Sequence, residues 1–297
     1  MSLTRRQFLK ISGLALTSSH LPACAEQTGD PKKPRFDISL AQWSVHRTLR
    51  AGKLTNLEFP KYAKDKFGIL AVEYVNSFMK KQAKNMSYLK DLKSRTDGEG
   101  IKNILIMCDG EGQLGAKTNE ERTKTVNNHK RWVDAAKFLG CHSIRVNAGG
   151  PGSREELAKQ VVDGLTQLSI FAKSHNINVI VENHGGLSSD GAWLAGVLKT
   201  VGMENCGSLP DFGNFHKYDR YQGMKDLIPF AKGVSAKSGK FDAKGNEVDT
   251  DFVKMMGIVA ASEYKGYVGV EYAGSKLSED DGIIATKRLL EKVFKLL

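Results

Sequence analysis

The feature that most constrains the fold of this chain is a regular alternation of strand-like and helix-like segments from residue 36 to residue 297. Short runs rich in Val, Ile and Leu are each followed by a longer stretch with apolar residues at helical spacing. This alternation is typical of parallel strands joined by crossover helices. Eight such units in one chain of 297 residues favour a single α/β domain, a (β/α)8 TIM barrel, which needs about 250 residues. An open doubly wound sheet is the alternative.

The predicted elements can be placed by number along the sequence. We expect strands at 36–43, 69–75, 104–108, 143–147, 179–182, 207–211, 233–237 and 267–271. We expect helices at 59–66, 85–100, 118–139, 153–174, 190–201, 221–230, 249–261 and 279–297. No GxGxxG pattern follows the first strand, so nothing here indicates a dinucleotide site.

The first 24 residues indicate an export signal rather than part of the fold. The basic stretch TRRQFLK at 4–10 precedes a short apolar run and resembles a twin-arginine signal. LPAC at 21–24 resembles a lipoprotein cleavage box with Cys24 as the lipidated residue; a plain signal peptidase site is the alternative. Residues 25–35 are polar and predict a tether, which leaves 36–297 as the catalytic domain. We therefore expect a periplasmic protein, or one anchored at the membrane and facing the periplasm.

Charge and cysteine content exclude two classes of function. The formal net charge of the whole chain is +11, and residues 1–23 contribute three of its basic and none of its acidic residues, which leaves +8. The remaining lysines are scattered and no dense basic stripe with interleaved aromatics exists, so we expect no nucleic-acid partner. Cys108, Cys141 and Cys206 lie in or beside apolar runs and no CxxC spacing occurs. Buried free thiols are expected, rather than disulfides or a zinc–thiolate site.

Three predicted strands in the second half end in a carboxylate. They are NVIVE, ending at Glu182, GSLPD, ending at Asp211, and YVGVE, ending at Glu271. An ionised carboxylate is costly to bury without a partner. Because active sites of such barrels lie at the carboxyl ends of the strands, these three acids are expected to meet in one divalent-cation site.

Other polar side chains stand at the predicted strand ends. The candidates for substrate binding there are Trp43, Glu73, Arg145, His184, Asn214 and His216. Most of these have alternatives: Glu73 could pair with a neighbouring Arg or Lys, Trp43 could lie in the core, His184 could cap the loop at Gly185, and His216 could be an exposed loop residue. Arg145 could hold an anionic substrate group or one of the acids. Lys237 is harder to explain structurally, since a lysine inside a strand of small residues must find an anion.

The sequence around these residues resembles a known family. The motifs VENHGG at 181–186, LPDFGNF at 209–215 and GVEY at 269–272, with GILAVEYV at 68–75, are similar to the sugar isomerase/epimerase family with the xylose-isomerase-like barrel. The resemblance covers roughly residues 36–297. That superfamily also includes dehydratases, lyases and DNA-repair nucleases.

The resemblance implies metal ligands at Glu182, Asp211 and Glu271. Oxygen ligands suit Mn²⁺ or Mg²⁺, with Zn²⁺ as a further candidate. In the family, such an ion holds two adjacent sugar oxygens and polarises a carbonyl, and carboxylates of the fifth and eighth strands move the proton. Glu182 and Glu271 are therefore the implied catalytic residues, together with Lys237.

One position departs from the family pattern. Where the family often has a histidine two residues before a lysine on strand seven, this chain has Ser235 before Lys237. The fourth ligand is then absent or comes from elsewhere, and His184 and His216 are the available imidazoles. Alternatively, Lys237 itself neutralises the carboxylates and no metal binds tightly.

These observations predict an exported isomerase or epimerase that acts on a small-molecule carbohydrate. Sugar phosphates are cytoplasmic, so the expected substrate is a non-phosphorylated sugar, and the expected step is removal of a proton next to its carbonyl. A lyase or hydrolase that acts on keto-sugar glycosides is one alternative, and a catalytically silent sugar-binding barrel is another. An apurinic endonuclease would need more histidines at the strand ends. The sequence carries no signal for the oligomeric state.

Overall fold

The computed structural model describes residues 36–297. The expected export signal, the tether and Cys24 lie outside this range. Among the helices of residues 36–297, none combines the length and the hydropathy that a membrane span requires.

Eight strands and nine α-helices alternate along the described chain. The strands are β1 (Phe36–Ala41), β2 (Ala71–Val75), β3 (Lys102–Met107), β4 (Ser143–Val146), β5 (Asn178–Glu182), β6 (Cys206–Leu209), β7 (Val234–Ser238) and β8 (Gly266–Tyr272). The helices are α1 (His46–Arg50), α2 (Phe59–Phe67), α3 (Met86–Glu99), α4 (Asn119–Leu139), α5 (Arg154–Lys173), α6 (Gly191–Val201), α7 (Arg220–Leu227), α8 (Phe252–Ala260) and α9 (Glu279–Phe294).

The strands form one parallel barrel. Their order is β6-β5-β4-β3-β2-β1-β8-β7, so the first and last strands of the chain pair with each other. Two parallel bridges, Ser208 with Ala231 and Asp211 with Ser235, link the remaining edges of β6 and β7. The predicted (β/α)8 barrel is confirmed, and the open doubly wound sheet is wrong, because an open sheet would leave β1 and β8 unpaired.

Local signals explain where the longer helices begin and end. Thr118 and Ser153 each accept a hydrogen bond from the backbone three residues on, and Glu121 and Glu156 complete two capping boxes at the starts of α4 and α5. Gly140 ends α4 in the left-handed conformation, which glycine adopts without strain. The two capping boxes fix where the loops after β3 and β4 end, on the side of the barrel mouth, whereas Gly140 lies in the connection to β4 at the opposite end.

The core has two parts, and the smaller one supports the site. The larger part packs the helices against the outside of the barrel. The smaller part fills the barrel with eight buried apolar residues: Ala41, Ala71, Val75, Ile104, Leu105, Met107, Ile180 and Leu209. The interior is thus packed, and active sites of such barrels lie at the carboxyl end of the strands.

Most elements differ from the sequence-based boundaries by a few residues, and two of the differences bear on the site. Strand β6 ends at Leu209 rather than at Asp211, because Pro210 has no N–H with which to continue the ladder. The first strand ends at Ala41, and a 3₁₀ turn over Gln42–Val45 leads into the short helix α1, which the periodicity did not predict. Cys108, Cys141 and Cys206 are buried free thiols, as expected.

Candidate functional site

Three carboxylates meet at the mouth of the barrel. Glu182 ends β5, Asp211 follows β6 by two residues and Glu271 lies near the end of β8. One oxygen of each lies within 4.8 Å of the others. All three side chains are buried: the residues are 2%, 0% and 4% exposed. Parallel strands bring their carboxyl ends to one edge, which is why residues distant in sequence converge here.

Two basic side chains partly neutralise this carboxylate cluster, formed by Glu182, Asp211 and Glu271. Lys237 Nζ lies 2.6 Å from Glu271 Oε1, and Arg145 Nε lies 2.9 Å from Glu182 Oε2. Arg145 is shared, since its other nitrogens contact Asp109, with the closest pair of atoms 2.7 Å apart. The three carboxylates are therefore balanced by the full charge of Lys237 and by part of the charge of Arg145. This leaves the cluster with excess negative charge.

Fixed hydrogen bonds hold the cluster in place. Asp211 Oδ1 accepts the backbone N–H groups of Gly213 and Asn214, at 2.8 and 2.9 Å. Ser235 Oγ donates to Asp211 Oδ2 at 2.7 Å and lies 3.4 Å from Glu271 Oε2. The amide of Asn214 donates to Glu182 Oε1 at 2.9 Å. The serine therefore occupies the position that the family pattern gives to a histidine, and it contacts two of the three carboxylates.

Burial and neighbouring charges move the pKa values of these acids in different directions. Burial raises the pKa of Glu182 and of Asp211, against the opposing effects of Arg145 and Lys237. Burial acts in the same way on Glu271, but Lys237, by charge and hydrogen bond, together with Arg145 and His184, lowers the pKa of that carboxyl. The same carboxylates raise the pKa of Lys237, so the ammonium stays charged.

A small cavity opens above the cluster. Its volume is about 90 Å³. It is lined by Trp43, Val75, Met107, Asp109, Arg145, Glu182, His184, Lys237 and Glu271. Apart from the apolar side chains of β2 and β3 and the indole of Trp43, the lining is polar or charged. Such a cavity suits a small polar ligand.

One wall of the cavity is a chain of hydrogen bonds. Asn147 donates to Asp109 Oδ1 at 2.8 Å, and His184 Nδ1 lies 3.1 Å from Asn147 Oδ1. Arg145 lowers the pKa of Asp109 against the opposing effect of burial. Burial, followed by Arg145, lowers the pKa of His184. The imidazole is therefore neutral at pH 7 and can donate or accept a hydrogen bond.

The opposite wall is aromatic. The ring of Trp43 stacks on His46 with ring centroids 4.7 Å apart and an interplanar angle of 10°. The guanidinium carbon of Arg50 lies 5.0 Å from the Trp43 ring centroid. The indole lines the cavity and also packs against the apolar filling of the barrel. It thus lies where it can contact a sugar ring.

Three predicted substrate contacts do not line the cavity. Asn214 lies beneath it, where its amide donates to Glu182. Glu73 is 2% exposed and lies inside the barrel, where it accepts a hydrogen bond from Ser39 rather than forming an ion pair. Its other oxygen, Oε2, has no hydrogen-bond partner among the described residues. His216 is exposed, in a loop with a positive φ of 49°. Their roles as substrate contacts stay predictions.

Sequence reasoning missed Asp109, although a signal was available. It follows β3 by two residues, and thus repeats the pattern of an acid after an apolar strand that singled out the three acids in the second half. Asn76 holds its backbone: Asn76 Nδ2 donates to the Asp109 carbonyl at 3.0 Å, and the Asp109 N–H donates back at 2.9 Å. Asp109 is thus fixed at the rim of the cavity.

Comparison with known proteins agrees with this architecture. The family model described as xylose isomerase-like TIM barrel matches residues 62–293. This chain belongs to that family. A search of curated protein sequences found no match.

Solved structures of xylose isomerase-like barrels superpose on most of the chain. The IolI protein with a bound zinc atom has a TM-score of 0.71 at 16% identity, covering 88% of this chain and 99% of that one. The 3-keto-D-glucoside 4-epimerase YcjR from E. coli has 0.66 at 15%, covering 87% and 100%. D-psicose 3-epimerase has 0.67 at 13%, covering 87% and 99%. At these identities the likeness shows the fold alone.

The residues present fit a hard divalent cation. Glu182, Asp211 and Glu271 supply oxygen atoms only, which Mg²⁺ and Mn²⁺ prefer. Glu182 Oε2 has no hydrogen-bond partner among residues 36–297, although Arg145 lies beside it. The excess negative charge of the cluster also favours a cation. The buried acidic triad is therefore a candidate divalent-cation site.

Proposed function

We propose that this protein is a sugar isomerase or epimerase that removes a proton next to the carbonyl of a non-phosphorylated sugar. The observation that carries the proposal is the carboxylate cluster at the floor of a small polar cavity, with more acids than bases. A group of ion pairs that only stabilised the fold would not require more acids than bases. The fold shared with two sugar epimerases supports the same reading. The export signal expected from the sequence is part of this proposal, with the periplasm as the location.

The outcome of the reaction depends on the face of the sugar that each of the two carboxyl groups contacts. One of Glu182 and Glu271 takes the proton from the carbon beside the carbonyl, and the electron pair moves onto the carbonyl oxygen to form an enediolate. The other carboxyl returns a proton to the opposite face, which inverts that carbon. Alternatively, a proton returns to the former carbonyl carbon while the hydroxyl proton of the first carbon passes to the former carbonyl oxygen, which moves the carbonyl. A divalent cation held by Glu182, Asp211 and Glu271 would supply polarisation of the carbonyl.

The neighbouring residues position these two acids. Arg145 orients Glu182 from one side while Asn214 fixes its other oxygen. Lys237 holds Glu271 and, as a charged ammonium, can also stabilise negative charge on a substrate oxygen. Both bases are thereby engaged with carboxylates, and this leaves no free cationic pair in the cavity for a phosphate group. The charge arrangement therefore supports a non-phosphorylated substrate.

The second candidate is a catalytically silent sugar-binding barrel. Ser235 at the position of the usual histidine and the contact between Lys237 and Glu271 favour it, because both features can replace a metal with fixed partners. The two candidates differ in whether the cluster exchanges a proton with substrate.

Solvent-deuterium exchange separates the candidates. The protein is incubated in D₂O with Mn²⁺ and a panel of D-fructose, D-tagatose, D-psicose and 3-keto-glucosides, and deuterium at carbon is followed by NMR. The proposal expects exchange with at least one ketose for the wild type and the Glu291→Gln control, an exposed carboxylate on α9, and none for Glu182→Gln. Binding of a sugar without exchange would establish the silent barrel instead.

A further inference from the structure

A second, larger cavity adjoins the site on the side of β7. Its volume is about 530 Å³, against about 90 Å³ for the cavity above the carboxylate cluster. We call the two the outer and the inner cavity. The outer cavity is lined by Gly213, Arg220, Lys237, Ser238, Gly239, Glu247, Val248, Asp249, Thr250 and Ala273. Lys237 lines both, so the two cavities meet at its side chain.

The volumes limit what each cavity holds. The inner cavity, at about 90 Å³, is too small for both units of a disaccharide. The outer cavity lies within the range of about 300–1,000 Å³ that is usual for small-molecule sites. A substrate larger than one sugar unit must therefore extend beyond the inner cavity.

The wall of the outer cavity is preformed. Glu247 is buried and accepts three backbone N–H groups, those of Gly239, Lys240 and Thr250. An antiparallel bridge between Phe241 and Glu247 closes the same loop. Because Glu247 is used to fold the loop, its charge is not available to a ligand, and the loop keeps its shape without one.

Arg220 is the polar group of the outer cavity that has donors to spare. Its guanidinium donates to the hydroxyl of Thr250. Among residues 36–297 no carboxylate lies within ion-pair distance of Arg220, whereas Asp249 is 3.1 Å from Lys240 Nζ and Lys237 is paired with Glu271. A partly buried guanidinium with one neutral partner retains most of its five N–H donors for ligand oxygens.

Other cavities near the mouth do not share this relation. One is lined by residues between Gly110 and Pro151, and another by residues between Leu49 and Tyr88. Neither includes a residue that lines the inner cavity. Of these three cavities, the outer cavity is the one that shares a lining residue, Lys237, with the inner cavity. A ligand that extends from the inner into the outer cavity therefore passes Lys237.

We infer that the outer cavity is a second carbohydrate subsite, and that the substrate is a glycoside with its keto-sugar unit in the inner cavity and its second unit in the outer cavity beside Arg220. This rests on the proposed function for the assignment of the inner cavity. Lys237 then lies between the two units, near the bond that joins them. Arg220 donates to oxygens of the second unit and acts on specificity rather than on the proton transfer.

The test compares one-unit and two-unit ligands on the full-length protein. We would use 3-ketoglucose and the 3-keto derivatives of cellobiose, maltose and trehalose, and measure kcat/KM for deuterium exchange together with affinity by calorimetry. At least one disaccharide should bind more tightly than 3-ketoglucose. Arg220→Ala and Arg220→Met should lower kcat/KM for that disaccharide by about 10- to 100-fold, as for a lost charged hydrogen bond, with 3-ketoglucose unchanged. Arg95→Ala, which removes an exposed arginine of α3, is the control.

The outcomes separate this inference from the proposed function. Equal affinity for 3-ketoglucose and all three disaccharides would overturn the subsite, as would equal losses for both ligand sizes in the Arg220 variants. Absence of exchange with every ligand would reject the proposed function, but tighter binding of a disaccharide that depends on Arg220 would still establish the subsite.

Discussion

Two buried groups of charged residues at the same end of the barrel differ in how completely their charges are matched. Glu111, in the loop after β3, is 4% exposed and stands alone as an acid. Arg131 lies 2.6 Å from its Oε2, and Trp132 and Asn76 donate to its Oε1 at 2.9 and 3.2 Å. One acid thus meets one base, and both oxygens are hydrogen-bonded.

The carboxylate cluster has no such balance. Its three acids share Lys237 and part of Arg145, and Glu182 Oε2 lacks a hydrogen bond among the described residues. Removing one partner of a matched buried pair destabilises a fold, whereas removing one of several crowded like charges relieves repulsion. Glu111 therefore stabilises the loop after β3. The crowded acids of the cluster lower the stability of the fold, and a function accounts for their presence.

The largest expected effect is on turnover. Glu182→Gln and Glu271→Gln each remove a proton-transfer group without changing its shape, so exchange activity should fall by about 10²- to 10⁴-fold. The measurement is the initial rate of deuterium incorporation, with Glu291→Gln as the control at an exposed site. Near-wild-type rates in both cluster variants would refute the assigned mechanism.

The second effect distinguishes the two groups by stability. Glu111→Gln leaves Arg131 without its carboxylate and should lower the free energy of unfolding by about 2–4 kcal/mol. Glu182→Gln should leave it unchanged or raise it. Urea denaturation of both variants at pH 8 measures the difference. Equal destabilisation would mean that Glu111 and Glu182 stabilise the fold to the same extent.

How much of this could be predicted from sequence depends on what the sequence encodes locally. The barrel and the convergence of Glu182, Asp211 and Glu271 were predictable, because strand ends and their acids are visible as apolar runs followed by a carboxylate. The engagement of Arg145 was left open between a substrate and an acid, since side-chain reach across strands depends on register. The role of Arg220 could not be predicted, because it depends on the loop at residues 239–250. Hydrophobic periodicity gives no information on the conformation of such a loop.

A third effect concerns pH. Burial, opposed by the hydrogen bond from Ser39, raises the pKa of Glu73 to about 7, above its ordinary value of 4.5. The folded protein then keeps a proton that the unfolded chain releases, so this residue makes stability fall as pH rises from about 4.5 to about 7. Glu73→Gln should remove that slope and exceed wild-type stability at pH 8 by about 1–3 kcal/mol.

Chelator-treated protein and unfolding curves at pH 5 and pH 8 test this directly. The two proteins should be nearly equally stable at pH 5, where Glu73 is protonated in the folded state. A variant that is less stable than the wild type at pH 8 would show instead that the Glu73 carboxylate is needed in its charged form.

The smallest effect comes from the hydroxyl beside Glu73. Ser39 Oγ donates to Glu73 Oε1 inside the barrel. Ser39→Ala should lower the free energy of unfolding by about 1 kcal/mol, and by more at pH 8 than at pH 5, because the hydrogen bond favours the charged carboxylate. Thermal unfolding at the two pH values measures the difference, and a loss that is the same at both would contradict it.

The central claim is that Glu182, Asp211 and Glu271 form one cation-binding unit at the barrel mouth. Calorimetric titration of chelator-treated protein with Mn²⁺ tests it most directly, using the wild type, Glu182→Gln, Asp211→Asn and the Glu291→Gln control. We expect one Mn²⁺ per chain in the wild type and the control, and affinity weakened at least about tenfold in both cluster variants. Absence of Mn²⁺ binding to the wild type, or binding that survives both substitutions unchanged, would contradict it.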